Sequence, residues 1–306
     1  MAVTQLIRIS ITVADLAAAT AFYHDALGLD VGPELALGDP AWNALLGLDS
    51  GTTARAVDVA LGRQTLKLVK FDPPGRPYPS ERASNDQWFQ HVALVAGDIG
   101  AAWRRLMRWP PGVITEGEPV LLPPNTGKVT AFKFRDPEGH PLELIAFPAD
   151  VGAPVWHQGA DPGIRGYDHT AIAVVDVERS VAFYTGLLGL KIGGRSLNKG
   201  PEQDRLDGLA GCEVDVVALQ PADVATPHVE LLHYRTPQGR ASPEVRANDV
   251  ASVRQIHKVD DLDALVTQLE KAGTTFVSPG IVSLRQGGRA AAIRDPDGHM
   301  IVLLAG

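Results

Sequence analysis

Residues 6–13, LIRISITV, alternate apolar and polar side chains with the two-residue period of a strand that buries one face. An aspartate suited to N-capping follows at Asp15, and then LAAATAFYHDALGL (16–29) carries the periodicity of a helix closed by glycine. The same succession of strand, aspartate and helix begins again near Asp98, Asp176 and Asp261. Short apolar strands separated by Gly, Pro and Asp turns follow each helix, so the pattern predicts four βαβββ modules and an α+β fold. The tetrapeptides DPEG (136–139) and DPDG (295–298) read as tight turns into the final strands of the second and fourth modules.

The modules repeat as a pair. DLAAATAFYHDALGLDVG from Asp15 recurs as DVERSVAFYTGLLGLKIG from Asp176, an offset of 161 residues, and FRDPEGHPLELIAF recurs as IRDPDGHMIVLLAG with Asp136 and Asp295 offset by 159. Two halves are expected, residues 1–148 (modules 1–72 and 86–148) and 166–306 (modules 166–236 and 250–306). The Pro- and Gly-rich stretch 149–165 lacks periodicity and is expected to link them.

With 28 basic against 36 acidic residues, the chain has a formal charge of −8 and no basic stripe, which argues against a nucleic-acid partner. No apolar run approaches the ~20 residues of a membrane span. MAVTQLIRISITVADL reads as a strand rather than an export signal, and the single cysteine, Cys212, excludes an intrachain disulfide and suits a reducing compartment. The expectation is a cytoplasmic protein, monomer or homodimer, with a small-molecule partner.

Four residues break the apolar texture of their strands: His91 in WFQHVALV, Glu143 in HPLELIAF, His169 in YDHTAIAV and Glu230 in HVELLHY. Any one of them alone would be an ordinary hydrogen-bonded strand residue. Burying two carboxylates costs several kcal/mol unless a cation compensates, and two imidazoles with two carboxylates form a donor set suited to a borderline divalent metal.

These motifs resemble the vicinal oxygen chelate superfamily, which includes glyoxalase I, epimerases, extradiol dioxygenases and bleomycin-resistance proteins. The resemblance rests on the D-x-x-x-[AST]-x-x-FY-x-x-x-LG-[LM] helix, the DP-[ED]-G turn and the strand positions, and it covers nearly the whole chain. It implies that pairs of modules form two cup-shaped, partly open β barrels flanked by helices, with ligands on the first and last strands of each module. Those first-strand positions are Arg8, His91, His169 and Arg254, and the last-strand positions are Lys67, Glu143, Glu230 and Val302. Modules two and three thus keep every ligand and modules one and four none, so pairing two with three is preferred, because it gathers a complete site in one barrel.

The resemblance further implies one divalent ion (Ni, Co, Zn, Mn or Fe) bound by His91, Glu143, His169 and Glu230. Two remaining coordination positions would accept adjacent substrate oxygens. Glu143 and Glu230 are the candidate catalytic bases for an isomerase or lyase of the glyoxalase I or epimerase type. An Fe(II) ring-cleaving dioxygenase in which Glu230 does not bind metal is the first alternative, and a protein that sequesters a small molecule is the second. His228 shares a strand face with Glu230 and is expected either to line the pocket and support the ligands from behind or to be structural. His140 and His299 are expected to be structural, Tyr23 and Tyr184 to be helix core, and Lys128, Lys133 and Arg135 to be solvated, in preference to meeting an anionic substrate tail. In the other barrel Arg8, Lys67 and Arg254 are expected around one cavity, neutralised by nearby carboxylates or, less favoured, by a bound anion.

Overall fold

The computed structural model describes residues 2–159, 161–285 and 287–305. Each of the four anticipated aspartates caps a helix: Asp15 and Asp176 accept two backbone N–H groups each, and Asp98 and Asp261 accept one each. The first helix is not continuous. It runs as α-helix over Leu16–Ala21 and widens into a π turn over Phe22–Ala26, and the third module repeats this over Val177–Ala182 and Phe183–Leu187. In both, the widened turn sinks the Phe and Tyr of the FY repeat into the core. Gly28 and Gly189, at φ of 75° and 74°, then close the turns in the left-handed region.

The strands form two nine-stranded sheets. In one, the first strands of modules one and four, Val3–Thr12 and Val253–Val259, meet antiparallel at the centre, and each half adds its own remaining strands outward. In the other, Gln90–Ala96 of module two meets Ile164–Ala173 of module three in the same way. Modules two and three therefore share one open barrel and modules one and four the other. Ile9, Leu94, Ile172 and Leu303, one from each module, lie in a common apolar core on the convex faces of both sheets, with the helices.

The repeated turns tie the two sheets together. Glu138 of DPEG accepts the backbone N–H groups of Ala14 and Asp15 at 2.6 Å, capping a helix that belongs to the other sheet. Asp297 of DPDG does the same for module three, accepting from Val175 N and Ser180 Oγ, and Tyr184 donates to Asp295. His140 and His299, expected to be structural, reach across to the backbone carbonyls of Val250 and Ala173. Among the described residues no helix is long and apolar enough to cross a membrane.

The concave faces differ. In the barrel of modules one and four, Leu45, Leu46, Val69, Phe71, Ala292, Met300 and Val302 form a compact apolar cluster, and Trp42 stacks on Phe71 at 5.4 Å. The other barrel keeps an open cavity of about 540 Å³.

Candidate metal centre

The seam between Gln90–Ala96 and Ile164–Ala173 brings the two imidazoles together, because Ala171 pairs with His91 and Ala93 with His169. The flanking parallel strands set Glu143 beside Ala93 and Glu230 beside Ala171. All four side chains thus point into the same cup. The Nε2 atoms of His91 and His169 stand 3.4 Å apart, Glu143 Oε2 lies 3.0 Å from His91 Nε2 and 3.7 Å from His169 Nε2, and Glu230 Oε2 lies 3.4 Å from His169 Nε2. For metal–ligand bonds of ~2.1 Å, adjacent donors sit ~3.0 Å apart in an octahedron and ~3.4 Å apart in a tetrahedron. The spacing and the donor chemistry fit a single divalent cation.

The two carboxylates are not equivalent. Donor atoms of His91, Glu143 and His169 all lie within 4.8 Å of one another, and Glu230 stands outside this trio. The Glu143 side chain is 6% exposed and Glu230 20%. Burial alone would raise the Glu143 carboxyl, but His91, His169 and Lys133 outweigh it and hold the group well below the usual carboxylate range. Glu230 is lowered too, with burial again opposed by His169 and His228. Desolvation lowers His91, whereas His169 is raised well above its ordinary value because Glu230, Asp168 and Glu143 overcome the cost of burial.

A third carboxylate supports the site. The register slips between Tyr167 and His169, so Asp168 is an extra residue in the strand. Its Oδ2 lies 3.2 Å from His169 Nδ1, which fixes the ring so that Nε2 faces the cup, and its Oδ1 accepts the indole N–H of Trp156 at 2.7 Å. Trp156 comes from the Pro154–His157 turn inside the stretch that reads as a featureless linker, and Val151 to Pro154 of that stretch line the cavity. His228 Nε2 lies 3.5 Å from Glu230 Oε1, and its Nδ1 lies 3.8 Å from Asp168 Oδ2, beyond hydrogen-bond distance. The adjacency of Asp168 and His169 in YDHTAIAV is the sequence signal for this support, but strand alternation alone would have put Asp168 on the opposite face.

Two lysine and arginine expectations are corrected. Lys133 and Arg135 are buried rather than solvated: Lys133 donates to Asp207 at 2.6 Å and Arg135 to the carbonyl of Gly139, while Lys128 is exposed. In the other barrel Ser10 pairs with both Arg254 and Lys67, so these two cations flank one strand position, two residues along from Arg8. Lys67 pairs with Asp58 at 2.7 Å, as expected of a nearby carboxylate, but among the described residues Arg254 has no carboxylate partner. Its guanidinium donates to Thr12, Ser10 and Ser252 hydroxyls and the Ala247 carbonyl, and it lies over the Phe71 ring. Desolvation alone pushes its pKa down to about 9. Phe71 belongs to the apolar cluster of this barrel, together with Met300 and Val302.

The sequence profile of the Glyoxalase/Bleomycin resistance protein/Dioxygenase superfamily matches residues 5–144 and 166–303. The chain belongs to this superfamily. Glyoxalase I from Zea mays shares the fold with a TM-score of 0.63 at 18% identity, over 98% of this chain and 92% of that one. A putative dioxygenase from Bacillus subtilis does so with a TM-score of 0.58 at 17% identity, over 99% and 86%. An uncharacterized protein of Bacillus subtilis (strain 168), YwbC, is 28% identical over 138 residues, which are 44% of this chain and 92% of that protein.

Proposed function

We propose that this protein is a divalent-metal-dependent isomerase or lyase of the glyoxalase type, moving a proton on a small substrate that chelates through adjacent oxygens. The observation that carries this reading is the inequality of the two carboxylates in one four-donor cup. A divalent ion held by His91, Glu143, His169 and Glu230 supplies a Lewis acid for two neighbouring substrate oxygens.

The protein's own groups do the rest. Glu143 is held by both imidazoles and faces Lys133 on the neighbouring strand, so it acts as a fixed donor. Glu230 faces Ala218 instead, retains exposure to the cavity and lies beside His228, so it has room to turn toward a substrate carbon and take its proton. His228 then steadies the displaced carboxylate. Leu122, Ile145, Leu206 and Leu232 give the cavity apolar walls against which the rest of the substrate packs.

One observation favours a second reading. The compact trio of His91, Glu143 and His169 is a two-histidine, one-carboxylate set, the arrangement used by Fe(II) oxygenases. Solvent deuterium exchange separates the two. A panel of 2-hydroxy ketones and 2-oxo acids incubated in D2O with the Ni(II) or Zn(II) protein is expected to show exchange at the carbon next to the carbonyl. No exchange, together with oxygen uptake by the Fe(II) protein on catechols, would establish the dioxygenase reading instead.

A further inference from the structure

Lys133 sits directly opposite Glu143 in the antiparallel pairing of Thr130–Arg135 with Pro141–Ala146, which puts both side chains on the concave face. Its side chain is 5% exposed and lines the cavity. Burying an ammonium there requires compensation, and the fold supplies it from behind: Asp207, at the end of the helix Pro201–Asp207, accepts from Lys133 Nζ at 2.6 Å. The other oxygen of Asp207 accepts from Gln203 at 2.7 Å and Tyr234 at 3.0 Å, so this carboxylate is fully engaged in holding the lysine in place. An ammonium has three N–H donors, and Asp207 takes one of them. The cavity in front of the others is the one that holds the four candidate metal donors.

The fold itself does not demand a lysine at this position. The residues facing the last-strand sites in the other three modules are Asp58 opposite Lys67, Ala218 opposite Glu230 and Ala292 opposite Val302. In three modules the site is thus filled by a small residue or by a carboxylate matched to its neighbour. Only in the second module does a cation face a site that is already acidic, and a dedicated carboxylate on another module anchors it there.

We infer that Lys133 recognises an anionic oxygen of the substrate, so that the chelating group is a carboxylate with a keto or hydroxyl oxygen on the neighbouring carbon. This inference rests on the metal reading above. One carboxylate oxygen and the neighbouring oxygen occupy the metal side, the second carboxylate oxygen accepts from Lys133, and the rest of the molecule lies against the apolar wall.

The Co(II)-loaded protein gives a visible spectrum that reports on its ligands, and pyruvate and hydroxyacetone offer the same pair of adjacent oxygens with and without a negative charge. Pyruvate is expected to perturb the spectrum of the wild-type protein with a Kd at least tenfold below that of hydroxyacetone. In Lys133→Met, and in the charge-balanced Lys133→Met/Asp207→Asn should the single variant fold poorly, Co(II) stays bound and the preference for pyruvate falls at least tenfold, to what the carboxylate's own attraction to Co(II) supplies. A wild-type protein that binds Co(II) but shows no preference for pyruvate, or a preference undiminished by both substitutions, overturns the role of Lys133 and leaves the metal site standing. Failure of the wild-type protein to bind Co(II) overturns the metal reading itself.

Discussion

Arg254 occupies, in the sheet of modules one and four, the place that His91 occupies in the other. Each sits on the antiparallel seam of its sheet, Arg254 opposite Ser10 and His91 opposite Ala171, and Ser10 and Ala171 are themselves related by the 161-residue offset of the repeat. The same register sets Val302 against Glu143 and Lys67 against Glu230. One barrel has therefore kept polar donors around a cavity, whereas its twin has exchanged them for a hydrogen-bonded arginine, an ion pair and an apolar plug.

Restoring donors to the second barrel should consequently fail. Arg254→His with Val302→Glu would place a carboxylate inside the apolar cluster of Phe71, Met300 and Ala292. The expected outcome by elemental analysis is no more than the one divalent ion per chain expected of the wild-type protein, with stability lowered by ~3 kcal/mol or more from the buried charge. A second bound ion would show that the apolar plug opens.

The two glutamates should separate under conservative substitution. Glu143→Gln weakens the compact trio and is expected to lower metal affinity at least a hundredfold, as are His91→Ala and His169→Ala. Glu230→Gln should retain most of the metal and instead lose proton exchange by ~10²–10⁴-fold, the usual contribution of a general base. Competition with a chromophoric chelator measures the first effect, and deuterium incorporation the second. Metal loss from Glu230→Gln equal to that from Glu143→Gln would make Glu230 a fixed ligand.

Much of this architecture was legible in the sequence because it follows periodicity. The aspartate caps, the turns and the four strand positions repeat at nearly constant offsets, and a strand residue's face is fixed by counting from its neighbours. The supporting shell escaped for the opposite reason. Asp168 reaches His169 through a register slip that counting cannot reveal, Trp156 comes from a stretch with no period, and Asp207 meets Lys133 across 74 residues and two modules. The partners of Arg254 escaped too, because it is met by the hydroxyls of Ser10, Thr12 and Ser252 and by the carbonyl of Ala247, which lies in a loop that counting along strands does not place.

The Asp168 carboxylate should count in metal affinity although it faces the far nitrogen of His169. Asp168→Asn keeps the volume but removes the charge that holds the Nδ1 proton, and a loss of about 10–100-fold in affinity is expected. Trp156→Phe removes only the indole donor to Asp168 and should cost less. Equal, unchanged affinities in both variants would assign Asp168 to local packing.

Acid stability offers a test far from the cup. His257 is buried in the sheet of modules one and four, bonded to Gln255 at 3.0 Å, and desolvation lowers its pKa from an ordinary 6.5 to about 3. Because the folded-state value is depressed, the unfolded chain takes up a proton between these two values and the folded protein does not. The associated stability is therefore fully present above pH 6.5 and is lost as the pH falls toward 3. Between about pH 7.5 and pH 5 this one group should remove ~2 kcal/mol. His257→Gln retains a partner for Gln255 without the titration, so its denaturant midpoint should fall less over that range, by the same ~2 kcal/mol. Parallel pH dependences in the two proteins would mean that His257 takes up its proton inside the folded sheet.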